Sequence, residues 1–320
     1  MKTIVIVNPK AGRRFFLKLH LPQVLKLLER HGISYRVVYT RYCGHAARIL
    51  RRHRSDLDFV IVFGGDGTVR EVVRGMGDRP LPVGIIPFGT VNVLALDLGI
   101  SLNPIIATTS ILARHTRLID VGYINEEPFL LMVSTGLDAM AVHSVDLRFK
   151  RYFGQMSYVL GMIWSALTDR VRKIRVTIED RGITDHGYLV IVSNSRYYAG
   201  PYTIDQEVEI DDGLLNVILY KKSGILETFR LLLNVLANRH RMMPEVSVYT
   251  GRVISIGARG RVKMQMDGDK APPAPAHITV KKRFLPVFVP KDARKLAGLE
   301  AVRTVLANVF APPAAKPTRR

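Results

Sequence analysis

The 320-residue chain has one cysteine, Cys43, and one tryptophan, Trp164. A lone thiol excludes an internal disulfide and a multi-cysteine metal centre, and it fits a reducing, cytoplasmic compartment. Long apolar runs are absent too, so no segment reaches the roughly 20 residues of a membrane span. The opening MKTIVIVNPK is basic and then apolar, but its apolar run is too short and ends at Asn8-Pro9, so no signal peptide is expected. There is no repeat at a fixed period, no His/Glu zinc pattern and no serine in a G-x-S-x-G turn. Acid is scarce: 27 Asp and Glu stand against 47 Lys and Arg, a formal net charge of +20. Such a surplus points to a polyanion, whether phosphates, nucleic acid or an anionic membrane leaflet. With no helix-turn-helix, RNP or zinc-finger pattern, nucleic acid is the reading with least support.

What is present is an alternation of strand and helix signals. KTIVIVNP is β-rich, KLHLPQVLKLLERHG has helical spacing and closes on Gly32, and ISYRVVYT is strand-like again. GHAARILRRH, FVIVFGG, DGTVREVVRGM, LPVGIIPFGT and VNVLALDLGI continue as helix, strand, helix, strand and helix. Residues 1–122 therefore read as an α/β domain with a mostly parallel sheet. Beyond it come EPFLLMVST, VRKIRVTIED, GYLVIVSNS, GLLNVILYKK, VSVYTGRVISIG, RVKMQMDG and HITVKKRFLPVFV, strand after strand, which predicts an antiparallel β-sandwich over 123–290. ILETFRLLLNVLANRH and the 144–171 segment, with Met156, Met162 and Trp164 at apolar spacing, interrupt it as helices. Residues 291–320 read as a basic amphipathic helix and a disordered end.

The chemistry centres on GGDGT, residues 64–68, at a strand end entering a helix. Glycines there let backbone N–H groups approach a phosphate, and the helix dipole favours its charge. Asp66 would repel a phosphate, so its expected work is to hold a metal ion, directly or through water. The same letters also make ordinary turns. NPKAG at 8–12 and PFGTVN at 87–92 also follow strands, so all three loops should emerge on one sheet edge, where ligands of such sheets bind. This is neither a G-x-G-x-x-G dinucleotide fingerprint nor a G-x-x-x-x-G-K-[ST] phosphate loop.

In order, NPKAG, YTRYCGHA, GGDGTVREVVRG, GIIPFGTVNVLA, LIDVGYIN, STGLDA, EIDDGLLNV and MDGD resemble the diacylglycerol kinase catalytic-domain family, bacterial lipid kinases related to sphingosine kinases, over residues 3 to about 290. The resemblance implies ATP-dependent phosphorylation of a lipid hydroxyl. It implies an ATP site lined by Asn8, Pro9, Lys10, Ala11, Gly12, Thr40, Gly65, Asp66, Gly67, Thr68, Val69, Arg70, Glu71 and Thr90. It also implies a structural Mg2+ held by Asp212 with the carbonyls of Glu209 and Leu214, and a general base at Asp269 with Asp267 beside it. Asp267-Gly268 is also a favoured hairpin pair, so a plain turn is the competing reading. NAD kinases share GGDG, and a lipid-binding homologue without catalysis is the remaining alternative.

Two departures from the family wording matter. Asp269 stands where the family has Glu, a reach shorter by roughly one C–C bond, about 1.5 Å. Either the loop sits closer to substrate or Asp267 bears the proton transfer. Val93 stands where many members have Asp, and Asp97, one turn on, either replaces it beside Asp66 and Asp120 or faces solvent. His45 reads as a helix-start or packing residue. The acceptor lipid is open among diacylglycerol, sphingoid, phosphatidylglycerol and polyprenol-like alcohols, and a homodimer is possible. Docking on an anionic membrane surface is expected, with Arg148, Phe149, Lys150, Arg151, Tyr152, Phe153 and the 291–320 tail as candidates.

Overall fold

β-branched runs build the first half. In the computed structural model, which describes residues 1–12, 14–144, 172–198 and 202–293, β1 (Lys2–Val7) leads through α1 (Arg14–Arg30) to β2 (Ser34–Tyr39), α2 (His45–His53), β3 (Phe59–Gly64), α3 (Asp66–Met76), β4 (Val83–Pro87), a short α4 (Val93–Asp97) and α5 (Pro104–Leu112). The four strands pair in parallel in the order β2-β1-β3-β4. Alternation sorts the two faces: Ile4, Ile6, Val60 and Val62 pack against α2 and α3, while Val5, Val7, Ile61 and Phe63 pack against α1 and Ile111 of α5. β3 is buried at every position, as a strand covered on both faces must be.

The second half runs β5 (Thr116–Ile124), β6 (Glu127–Phe129), β7 (Met132–Gly136), α6 (Leu137–Ser144), β8 (Ile174–Ile178), β9 (Ile183–Gly187), β10 (Leu189–Ser193), β11 (Tyr197–Tyr198), β12 (Tyr202–Thr203), β13 (Leu215–Tyr220), α7 (Ile225–Leu236), β14 (Val246–Gly251), β15 (Val253–Ala258), β16 (Val262–Met266), β17 (Asp269–Ala274) and β18 (Ala276–Phe288). An antiparallel sheet, β14-β13-β10-β7-β16-β17, faces the β18-β15-β8-β9 end of the first sheet. Val133, Val190, Val192 and Val217 from one sheet meet Val176, Ile254, Ile256 and Ile278 from the other in a sandwich core. The fold is an α/β unit with a mostly parallel sheet joined to an antiparallel β-sandwich.

β18 ties the two together. Its first residues pair with β15. On its other side it pairs with β5 from Ile278 to Phe288, with an irregularity between Lys281 and Leu285, and Val287 reaches Val83 of β4. One ten-stranded sheet therefore spans both halves.

Three elements differ from expectation for local reasons. EPFLLMVST divides into β6 and β7 because the N–H groups of Leu130, Leu131 and Met132 turn to the Asp267 carboxylate. VNVLALDLGI is helical only at Val93–Asp97. β17 contains Pro272 and Pro273, which a strand tolerates at a sheet edge, where β17 lies. Arg148 to Phe153, Met156, Met162, Trp164 and residues 294–320 lie outside the described residues. Among the described residues no helix is long and apolar enough to cross a membrane.

Candidate active site

The loops after β1, β3 and β4 meet. Asn8 Nδ2 donates to Thr68 Oγ1 at 3.0 Å, and the Phe88 N–H donates to the Gly64 carbonyl at 2.9 Å. Gly89 lies directly on Gly65: a Cβ at 89 would come within 2.7 Å of the Gly65 Cα, so no larger residue fits without displacing backbone. Asn92, with φ at +57°, locks this bend by accepting the Gly89 N–H at 2.7 Å and donating to its carbonyl at 3.0 Å.

The acids of this edge organise backbone. Asp66 accepts the N–H groups of Val93 at 2.9 Å and Leu94 at 3.1 Å, so it caps α4. Burial pushes its carboxyl up to about 6, with those two N–H groups opposing. Glu71 accepts from the N–H groups of Gly44 at 2.7 Å and Ala46 at 3.1 Å, fixing the loop that carries Tyr42 and Cys43. His45 opens α2, accepts the Arg41 N–H and stacks on Tyr42.

Opposite stands the β16–β17 hairpin. Asp267, with φ at +50°, is half-buried and accepts the Leu130, Leu131 and Met132 N–H groups at 2.9 to 3.0 Å. Burial pushes its carboxyl up, opposed by the charge of Arg70 and by those donors. Asp269 is different: its side chain is 53% exposed, and its Oδ2 lies 3.6 Å from where a Gly67 Cβ would stand. Arg70, one turn into α3, donates to Asp269 at 2.9 Å and to the Met266 carbonyl at 2.7 Å.

Between these walls lies a cavity of about 460 Å³. Asn8, Lys10, Ala11, Thr40, Gly65, Asp66, Gly67, Thr68, Glu71, Thr90, Asp267 and Asp269 line it. Four predicted nucleotide-site residues do not. Pro9 and Gly12 flank the lining stretch, and a Cβ on Gly12 would strike Phe88 at 2.7 Å. Val69 is core, and Arg70 points its guanidinium at the hairpin instead.

Leu131, Met132, Val142 and Tyr198 add an apolar wall beyond the loops. Within it is Asp138, a buried carboxylate that accepts hydrogen bonds from the Ser134 and Tyr198 hydroxyls and, at 3.1 Å, from Gln265 Nε2. Burial pushes it up, against those donors. Sequence reasoning gave Asp138 no role; its signal was its place in STGLDA, one of the matched segments.

Glu209, Asp212 and Leu214 do not line the cavity. Asp212 accepts the Leu214 N–H at 2.8 Å, and Asp120 accepts the Gly213 N–H at 2.5 Å and the Arg283 N–H at 2.6 Å. Burial pushes both carboxyls up, and the neighbouring charge of Asp211 adds to it in each case. Among the described residues no three acid, His or Cys side chains converge on a metal position. A cation here would rest on one carboxylate and backbone oxygens, which suits a hard ion, and the crowding of negative charge fits such a guest. Asp97 neither joins Asp66 nor faces solvent: it is buried, accepts Ser195 Oγ at 2.6 Å, and lies 3.0 Å from the Arg196 guanidinium.

Comparison with known proteins agrees with this arrangement. Residues 2–124 match the model of the diacylglycerol kinase catalytic domain, and residues 131–289 that of the YegS C-terminal NAD kinase beta sandwich-like domain. The domain of residues 2–124 belongs to the diacylglycerol kinase catalytic-domain family, and the chain is similar to diacylglycerol kinases over most of its length. Among curated relatives, the diacylglycerol kinase of Bacillus subtilis (strain 168) is 28% identical over 90% of this chain and 96% of its own. That of Staphylococcus carnosus (strain TM300) is 26% identical over 91% and 95%. A crystal structure of a diacylglycerol kinase from Bacillus anthracis str. Sterne has the same fold, with a TM-score of 0.73 at 24% identity, covering 91% of this chain and 97% of that one.

Proposed function

We propose that the protein is an ATP- and magnesium-dependent lipid kinase that transfers the γ-phosphate to a lipid hydroxyl at an anionic membrane surface. The observation that carries this reading is the placing of Asp269 beside Gly67 in the lining of a cavity whose walls pass from bare backbone to apolar side chains. The N–H groups of the glycine loops and the start of α3 receive the triphosphate. The lipid hydroxyl enters from the side of Leu131, Met132 and Val142, its tail against those residues.

Asp269 then takes the hydroxyl proton while the alcohol oxygen forms its bond to the γ-phosphorus and the bond to the β-phosphate oxygen breaks, releasing ADP. Arg70 holds this carboxylate in its direction by the contact at 2.9 Å. Asp267 does a different job, fixing the hairpin by its three backbone bonds, and this supports Asp269 as the base. Magnesium bound with the nucleotide would supply neutralisation of phosphate charge, Asp66 being the residue of the loop edge that would hold it, and Asp212 with the Glu209 and Leu214 carbonyls would hold a structural ion.

The test is a panel of lipid alcohols in mixed micelles with labelled ATP and magnesium, with NAD as a non-lipid acceptor. Asp269→Asn should lower kcat by about 10²- to 10⁴-fold and leave ATP binding in place. Full activity in that variant, or phosphorylation of NAD alone, overturns the reading.

A further inference from the structure

α7 is apolar on both sides. Thr228 and Leu231 are buried, and with Val235 they pack on the outer face of the β10–β13 pair through Leu189, Ile191, Ile218 and Tyr220. The opposite side presents Leu226 at 77% exposure, Phe229 at 51% and Leu233 at 50%, an i, i+3, i+7 stripe, and Met242 just beyond the helix is 82% exposed. A helix that is apolar on its outer side as well as on the side it buries has a second partner or an apolar solvent.

Charge selects between them. Residues 221–245 hold five Lys and Arg against two Glu, and both Glu227 and Glu245 are within ion-pair distance of Arg230. Exposed Lys222 and Arg239 bracket the stripe. An apolar ridge rimmed by cations matches the interface of an anionic bilayer, not a second copy of a chain whose net charge is +20. Position agrees: the cluster under α7 includes Met132 and Tyr198, which also line the cavity. The helix thus stands beside the wall assigned to the lipid.

We propose that the outer face of α7, through Leu226, Phe229 and Leu233, inserts into an anionic membrane surface and sets the cavity at the depth of the lipid hydroxyl. The nature of the cargo rests on the lipid-kinase reading; the docking face does not.

The experiment is co-sedimentation of the full chain with phosphatidylglycerol vesicles and with phosphatidylcholine vesicles, comparing wild type with L226S/F229S. Alongside it, turnover of a short-chain, water-soluble diacylglycerol and the mass in solution are measured. The double variant should bind phosphatidylglycerol vesicles at least tenfold more weakly, with soluble-substrate turnover unchanged. Wild type should prefer the anionic vesicles. Equal binding by wild type and variant overturns the proposal, as does a wild-type dimer that the variant splits, which would make a second copy the occupant. Vesicle binding that depends on α7 in a protein that phosphorylates no lipid alcohol would remove the kinase reading and leave the docking face standing.

Discussion

Arg70 and Asp269, nearly 200 positions apart in sequence, form an ion pair at 2.9 Å that fastens the helix after GGDGT to a hairpin of the opposite half. The same guanidinium holds the Met266 carbonyl, so one side chain sets both the hairpin and the direction of its exposed carboxylate. Arg70→Gln should therefore reduce kcat by roughly 10²-fold, the order associated with misplacing a reacting group by 1 Å. Arg70→Lys should recover only part, because a point ammonium cannot serve both acceptors as a planar fork does. Steady-state kinetics with ATP and lipid varied separately checks this, and unchanged kcat in Arg70→Gln defeats it.

Asp267 should behave as a folding residue. Hydrogen bonds to charged groups contribute about 1.5–3 kcal/mol each, so Asp267→Ala should cost on the order of several kcal/mol by leaving the Leu130 and Leu131 donors without their acceptor. Urea titration followed by circular dichroism measures it. A variant as stable as wild type but inactive would instead make Asp267 the proton acceptor.

Asp138 should leave a signature in pH. An unfolded aspartate titrates near 3.9, and burial raises the folded value above that. Between the two values the folded state binds more protons, so this group's contribution to stability falls as pH rises through that window and is largest below it. Asp138→Asn cannot titrate. The melting temperature of wild type relative to this variant should therefore climb as the pH is lowered from neutrality toward the unfolded value near 3.9. A difference that does not vary with pH counts against it.

Asp97 and Arg196 predict a stability effect in place of a catalytic one. Arg196→Ala strands a buried carboxylate and should cost about 3–5 kcal/mol, whereas Asp97→Asn with Arg196→Met should cost much less. Thermal melts of the single and double variants decide; additive costs would show that the pair is not coupled.

Much of this was legible in the sequence because its signals were local. Period-two alternation in KTIVIV and FVIVFG set the two faces of the parallel sheet, and glycine-rich endings placed three loops on one edge. The late MDGD could be matched by wording, and its position against Gly67 is a consequence of the sheet order. What stayed hidden depends on partners distant in sequence. Asp138 meets Gln265 across 127 positions and Asp97 meets Ser195 across 98, and no spacing rule encodes such pairs. The division of EPFLLMVST was equally unreadable, since the acceptor that turns its N–H groups outward lies at 267. Arg70 sits within the stretch that the resemblance gives to the ATP site, and its length takes it to the hairpin instead.

The last strand carries a consequence for biosynthesis. Leu285 to Phe288 close the sheet beside β4 and β5, so a ribosome must release nearly all of residues 1–288 before the parallel strands gain their final neighbour. An amino-terminal half that forms while the rest is still being made therefore has its β4 edge without a neighbour until β18 arrives. A truncation ending at residue 124 should be captured by chaperones, its β4 edge open to any passing strand.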